Sequence, residues 1–169
     1  MFDVTIIERA LRDRASDSER EISQEHMALL LYWAYGWTLA NRGSRLFDGG
    51  IVASEIGPMP RQWTERPRPS IAGRRKTEAA SVTWIVESTW VSLARVQRPV
   101  LLSMTTGEGS AWRTVMDRHL GDVTDFPVIE DSLILTEFGR RIRRSFDARS
   151  RTTRAHLTAS RSPSPDLER

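Results

Sequence analysis

Hydrophobic positions are distributed very unevenly along this chain. Residues 27–37 read MALLLYWAYGW, with no charged side chain. Apolar residues there fall on every side of a helix, and such a helix must be surrounded by other elements or face a partner protein. Ser23 suits its N-cap, and Ile22 and Met27 are spaced as a hydrophobic staple. Gly43 suits the left-handed position that ends it. Elsewhere the helical period is ordinary. Asp3 can cap a first helix to about residue 15, with Val4, Ile7 and Leu11 on one face. Residues 77–94 place Val82, Ile85, Val86, Thr89, Trp90 and Leu93 on one side. Pro99 fits the first turn of a short helix over Val100 to Met104. Ser110 can cap a helix holding Trp112, Val115 and Met116. Asp131 or Ser132 can cap a last helix with Ile134, Phe138, Ile142 and Phe146 at steps of four.

The interruptions are as informative. Leu46 to Ala53 is extended or turn-like, and Gly49-Gly50 permits a hairpin there. Gly57-Pro58 is expected to stop what precedes it, and Pro60 to open a short helix ending near Trp63. Residues 66–76 (RPRPSIAGRRK) carry Pro, Gly and Arg without periodicity and read as a surface loop. Residues 150–169 hold too little apolar surface to offset the entropy of ordering. The expected fold is therefore mainly α: a compact single-domain helical bundle of about five or six helices, with at most a small β-hairpin. The bundle occupies residues 1–148, and residues 149–169 form a disordered basic tail that folding does not need. Leu30, Leu31, Ala34, Trp37, Ile85, Trp112 and Phe138 are expected in the core.

Composition narrows the chemistry. With no Cys, disulfide and thiolate-metal readings are closed. His26, His119 and His156 are scattered and form no metal motif. No apolar run approaches the roughly 20 residues needed to span a bilayer. The N-terminus has acidic residues and no cationic leader, so a soluble, cytoplasmic protein is expected. Residues 140–169 hold nine Arg against three acids, a net of +6. Residues 1–139 hold sixteen Lys and Arg against nineteen acids, a net of −3. A generally basic nucleic-acid surface would not divide this way. Arg140, Arg141, Arg143 and Arg144 fan over the polar side of the last helix, most simply as a solvated face, with contact to nucleic acid or to an acidic partner as the alternatives.

Catalytic patterns are missing. No Gly-x-Ser-x-Gly elbow occurs. Thr105-Thr106-Gly107-Glu108-Gly109 lacks the Lys of a phosphate loop, and Glu108 would repel phosphate. Neither an enzymatic activity nor a cofactor or metal is expected. The cluster Tyr32, Trp33, Tyr35 and Trp37 admits two readings. These rings pack the core, or some of them form a protein-binding patch, because Trp and Tyr dominate interface hot spots.

Two blocks bear a family resemblance. The first comprises Met27, Leu30, Leu31, Tyr32, Trp33, Ala34, Gly36 and Trp37, then Leu46, Phe47, Asp48, Ala53, Gly57, Pro58 and Pro60. The second runs from Thr105 through Glu108, Gly109 and Ser110 to Trp112. Together, over roughly residues 3–145, they resemble the Panacea, or SocA-like, antitoxin domain family, which includes phage-associated GepA-like proteins. The chain departs from the family pattern at Ala28-Leu29 (Gln-Lys), Thr106 (His) and Ala111 (Pro), and its spacing from Gly57-Pro58 to Pro60 is one residue shorter. The resemblance implies an antitoxin that neutralises a cognate toxin, encoded by an adjacent gene, through direct protein–protein binding. SocA-like members can also act as adaptors that deliver the toxin to a ClpXP-type protease. The implied motif and partner-binding candidates are Tyr32, Trp33, Tyr35, Trp37, Phe47, Asp48, Gly57, Pro58, Glu108 and Trp112. The alternative is a DNA-binding regulator or a phage-encoded protein-interaction module. Neither nucleic acid nor membrane is expected as a partner.

Overall fold

Local signals set most of the helix ends. Asp3 accepts a hydrogen bond from the Thr5 N–H at 2.9 Å and starts α1 (Val4–Asp17). Ser23 accepts from the His26 N–H at 3.2 Å and starts α2 (Gln24–Arg42), which Gly43 ends at φ 65°. The left-handed conformation there suits a residue without a Cβ. The computed structural model describes residues 1–65, 80–120 and 124–159, the side chains of residues 65, 80, 81 and 146–159 excepted. The expected surface loop over 66–76 lies outside the described residues.

The hairpin turn lies six residues later than the glycine pair suggests. Strands β1 (Ile51–Ser54) and β2 (Gly57–Pro60) run antiparallel, pairing Ile51 with Pro60 and Ser54 with Gly57. The turn is at Glu55-Ile56, not Gly49-Gly50, and the Ser54 hydroxyl closes it by donating to the Gly57 carbonyl at 2.7 Å. Gly57-Pro58 is therefore the start of a strand and not a break. Two prolines are tolerated because β2 is an edge strand, where a missing N–H leaves no ladder bond unmade. The backbone at Gly57 has φ 120°, which a side chain would strain.

One turn of helix, α3 (Gln62–Glu65), follows, and then α4 (Ala80–Leu93). Helix α5 (Arg98–Thr106) carries Pro99 in its first turn and extends beyond the expected span at both ends. Helix α6 (Ala111–Arg118) is capped by Ser110, which accepts from the Arg113 N–H at 3.1 Å. Strand β3 (Val128–Ile129) pairs antiparallel with the free side of β1, giving the order β2-β1-β3. Helix α7 (Asp131–Ala159) completes the described chain. Neither Asp131 nor Ser132 caps it: the Asp131 carboxylate instead accepts from Tyr35 Oη at 2.7 Å and Arg45 Nε at 2.6 Å. Residues 149–159, expected to be disordered, continue this helix. The stretch from 146 to 159 contains no Gly or Pro to stop it. The remainder of the expected tail lies outside the described residues.

The architecture is mainly α with a small antiparallel sheet, and the described residues form seven helices where about five or six were expected. Helix α2 is its post. It packs against α1, α4, α5, α7 and β2. This explains why residues 27–36 are buried all round. Leu30, Leu31, Ala34, Ile85, Trp112 and Phe138 are buried as expected, while Trp37 is only half-buried at the edge of the core. Gly36 sits where α2 crosses α7. A Cβ built there would lie 2.2 Å from the Phe138 ring. The absence of a side chain lets Phe138 slot against the helix, edge-on to Tyr32 and Trp33 at centroid distances of 5.6 and 5.2 Å. No helix of the described residues is long and apolar enough to cross a membrane.

Candidate functional site

The two sequence blocks converge on one buried carboxylate. Glu137, on α7, is 3% exposed. Its Oε2 accepts from Tyr32 Oη at 2.6 Å and from the Ala111 N–H at 2.8 Å. Its Oε1 accepts from Arg141 Nε at 2.9 Å and Nη2 at 2.7 Å. A carboxylate this deep is tolerated only when paired and fully hydrogen-bonded, and this one is. Its charge also lies at the positive N-terminal end of α6. Burial, and then the adjacent Glu137, push the Tyr32 phenol well above its ordinary range, so it remains a donor.

The rest of the network ties the same elements together. Trp33 Nε1 donates to Thr105 Oγ1 at 2.9 Å, and that hydroxyl donates to the Leu101 carbonyl at 2.7 Å. The Arg141 guanidinium lies 4.7 Å from the Trp33 ring centroid and also donates to the Met104 carbonyl. Trp112 Nε1 donates to the Ser54 carbonyl on β1 at 2.9 Å. Helices α2, α5, α6 and α7 and the hairpin thus meet around Tyr32, Trp33, Thr105, Trp112, Glu137 and Arg141. A second tie joins α2 to the start of α7 through Tyr35, Asp131 and Arg45. Burial, followed by the bond to Asp131, raises the Tyr35 phenol too.

The motif candidates divide by position. Tyr32, Trp33, Tyr35, Phe47, Gly57, Pro58 and Trp112 are buried. Phe47 packs against Tyr35, the rings tilted at 51° with centroids 4.9 Å apart. Trp37 is half-buried, edge-on to Trp33 at 5.5 Å. Asp48 and Glu108 are exposed. The reading of the Tyr32, Trp33 and Tyr35 rings as an exterior patch is therefore corrected: α7, α5 and the 46–48 segment cover them. Sequence reading missed Glu137 and the inward role of Arg141. It took Arg141 as part of a solvated face, whereas Arg141 turns inward to Glu137. The available signal was their spacing of four on one helix.

Two cavities open beside this network. One, of about 180 Å³, lies between the end of α5, the turn over 107–110 and α7, with Met104, Glu108, Arg140, Arg141 and Arg144 among its lining residues. The other, of about 220 Å³, lies at the C-terminal end of α2, between Phe2, Thr38, Arg42, Arg45 and Ile85. No group of three or more His, Cys, Asp or Glu among the described residues could hold a metal ion. Both oxygens of Glu137 are engaged, by four donor groups in all. The network is built to hold elements together.

No protein-family model, curated protein or solved structure matches the chain.

Proposed function

We propose that this chain is an antitoxin that neutralises a cognate toxin by binding it directly, as its resemblance to the Panacea and SocA-like domains implies. The observation that supports this reading most is the convergence of the two resembling blocks. Trp33 of the first bonds Thr105 of the second, Trp112 of the second bonds Ser54 in the hairpin of the first, and Tyr32 of the first is linked to the Ala111 N–H through Glu137 on α7. Residues far apart in the chain are thus parts of one structural unit, as a shared domain pattern requires. Delivery of the toxin to a ClpXP-type protease is a variant of the same reading, since it also begins with stoichiometric binding.

The test is coexpression with the adjacent gene in a bacterial host. The neighbour is expected to arrest growth alone and to be harmless beside this protein, and the two are expected to co-purify. A neighbour that is harmless alone, or that stays toxic beside the folded protein, overturns the reading. The second reading is a DNA-binding regulator. It is favoured by the exposed Arg140, Arg143 and Arg144 on α7 and opposed by the net −3 of residues 1–139. It predicts DNA binding that weakens steeply as salt rises.

A further inference from the structure

The cleft between α5 and α7 has two chemically different walls. On α5, Met104 lines the cleft and is 38% exposed, and Val100, one turn earlier on the same face, is 51% exposed. On α7, Arg140 and Arg144 stand one turn apart and both line it. Arg141, between them, is already engaged by Glu137 and the Met104 carbonyl. Among the described residues, Arg140 bonds only neutral carbonyls, those of Gly109 at 2.8 Å and Thr136 at 3.3 Å. Among the described residues, no carboxylate forms an ion pair with Arg144. Two acids line the cleft: Glu137 is buried on Arg141, and Glu108 is exposed. Among the described residues, two guanidinium groups without an ion pair and one exposed carboxylate therefore share a pocket whose apolar lining side chain is Met104.

Guanidinium forks match carboxylates in bidentate geometry, and the exposed Met104 side chain beside them offers an apolar contact. We propose that this cleft docks an acidic, amphipathic segment of the partner protein, with carboxylates on Arg140 and Arg144 and large apolar side chains on Met104 and Val100. Nucleic acid fits less well, because the exposed Met104 and Val100 side chains give a phosphate backbone nothing to contact. The inference rests on the protein-binding reading above and names the chemistry of the surface that reading leaves open.

The test uses the full chain and a labelled synthetic peptide of alternating Leu and Glu pairs, titrated by fluorescence anisotropy at low and moderate salt. Saturable binding is expected. The double variant R140E/R144E is expected to weaken it by about tenfold or more, since a buried charge contact is lost and reversed. M104E is expected to weaken it as well. R143E, which does not line the cleft, is expected to leave it within about twofold. Because Arg140 also holds the Gly109 carbonyl, R144E alone is measured too, with circular dichroism confirming the fold of each variant. Failure of the wild-type chain to bind, equal affinity in R144E and the double variant, or an equal effect of R143E overturns the proposal. So does tighter binding of duplex DNA that the same variants abolish. The peptide measurement needs no toxin. A failed coexpression test with intact peptide binding removes the toxin reading alone, and neutralisation with no peptide binding removes this one alone.

Discussion

Gly36 decides whether two helices can touch. Its missing Cβ is the space that the Phe138 ring occupies, at 2.2 Å from where the methyl would stand. Replacing Gly36 by Ala is ordinarily favourable in a helix by roughly 0.5–1 kcal/mol. Here overpacking outweighs that gain, and G36A is expected to lose about 1–3 kcal/mol in urea denaturation. Glu137 carries the opposite kind of constraint. Its removal in E137A strands a part-buried Arg141, the Tyr32 hydroxyl and the Ala111 N–H, so a loss of about 3–5 kcal/mol is expected. Tyr32→Phe removes one bond to the charged group and is expected to lose about 1.5–3 kcal/mol. Because both variants break the same Tyr32–Glu137 bond, the double variant is expected to cost less than their sum. Additive losses would show that the hydrogen bond carries no coupling.

At the scale of elements, ends and edges determine what is built. Helix α6 begins where Ser110, 2% exposed, accepts from the Arg113 N–H. Ser110→Ala leaves that donor without its acceptor, and a loss of about 0.5–2 kcal/mol is expected from thermal or urea unfolding. Ser110→Thr, which retains the hydroxyl, is expected to recover part of it. The same cap orients the Ala111 N–H toward Glu137, so the helix start and the buried carboxylate support each other. The hairpin shows the complementary rule for strands. Pro58 and Pro60 survive in β2 because only its inner edge pairs with β1, while β3 occupies the other side of β1.

At the scale of the molecule, His26 gives the fold a dependence on pH. Burial lowers its pKa below the ordinary value of 6.5, and the nearby charges of Arg20 and Arg98 lower it further. Its Nε2 is buried without a hydrogen-bond partner among the described residues. Above the ordinary histidine range both folded and unfolded chains hold His26 neutral, and nothing is lost. As pH falls through about 6.5, the unfolded chain takes the proton first, and stability declines until the lowered folded value is reached. The variant H26Q is expected to flatten this part of the stability profile. Urea midpoints measured from about pH 7.5 to 5 check it, and parallel profiles for the two proteins would assign the slope to other groups.

The sequence by itself determined the class of the fold, its central helix and most of its helix starts. These rest on local physics: periodicity, the capping side chains of Asp3, Ser23 and Ser110, and the glycine that ends α2. It also marked Tyr32, Trp33 and Trp112 as important, without saying which way they face. Tertiary structure alone decided that β2 contains Gly57-Pro58, because an edge position is a property of the sheet and not of the dipeptide. It decided that Asp131 bonds Tyr35 and Arg45 instead of capping α7, since a carboxylate chooses among partners that only folding brings near. And it separated Arg141, turned inward to a buried acid, from Arg140 and Arg144, which face a cleft. All three lie in one run of the sequence, and only the approach of α2, α5 and α6 makes their surroundings differ.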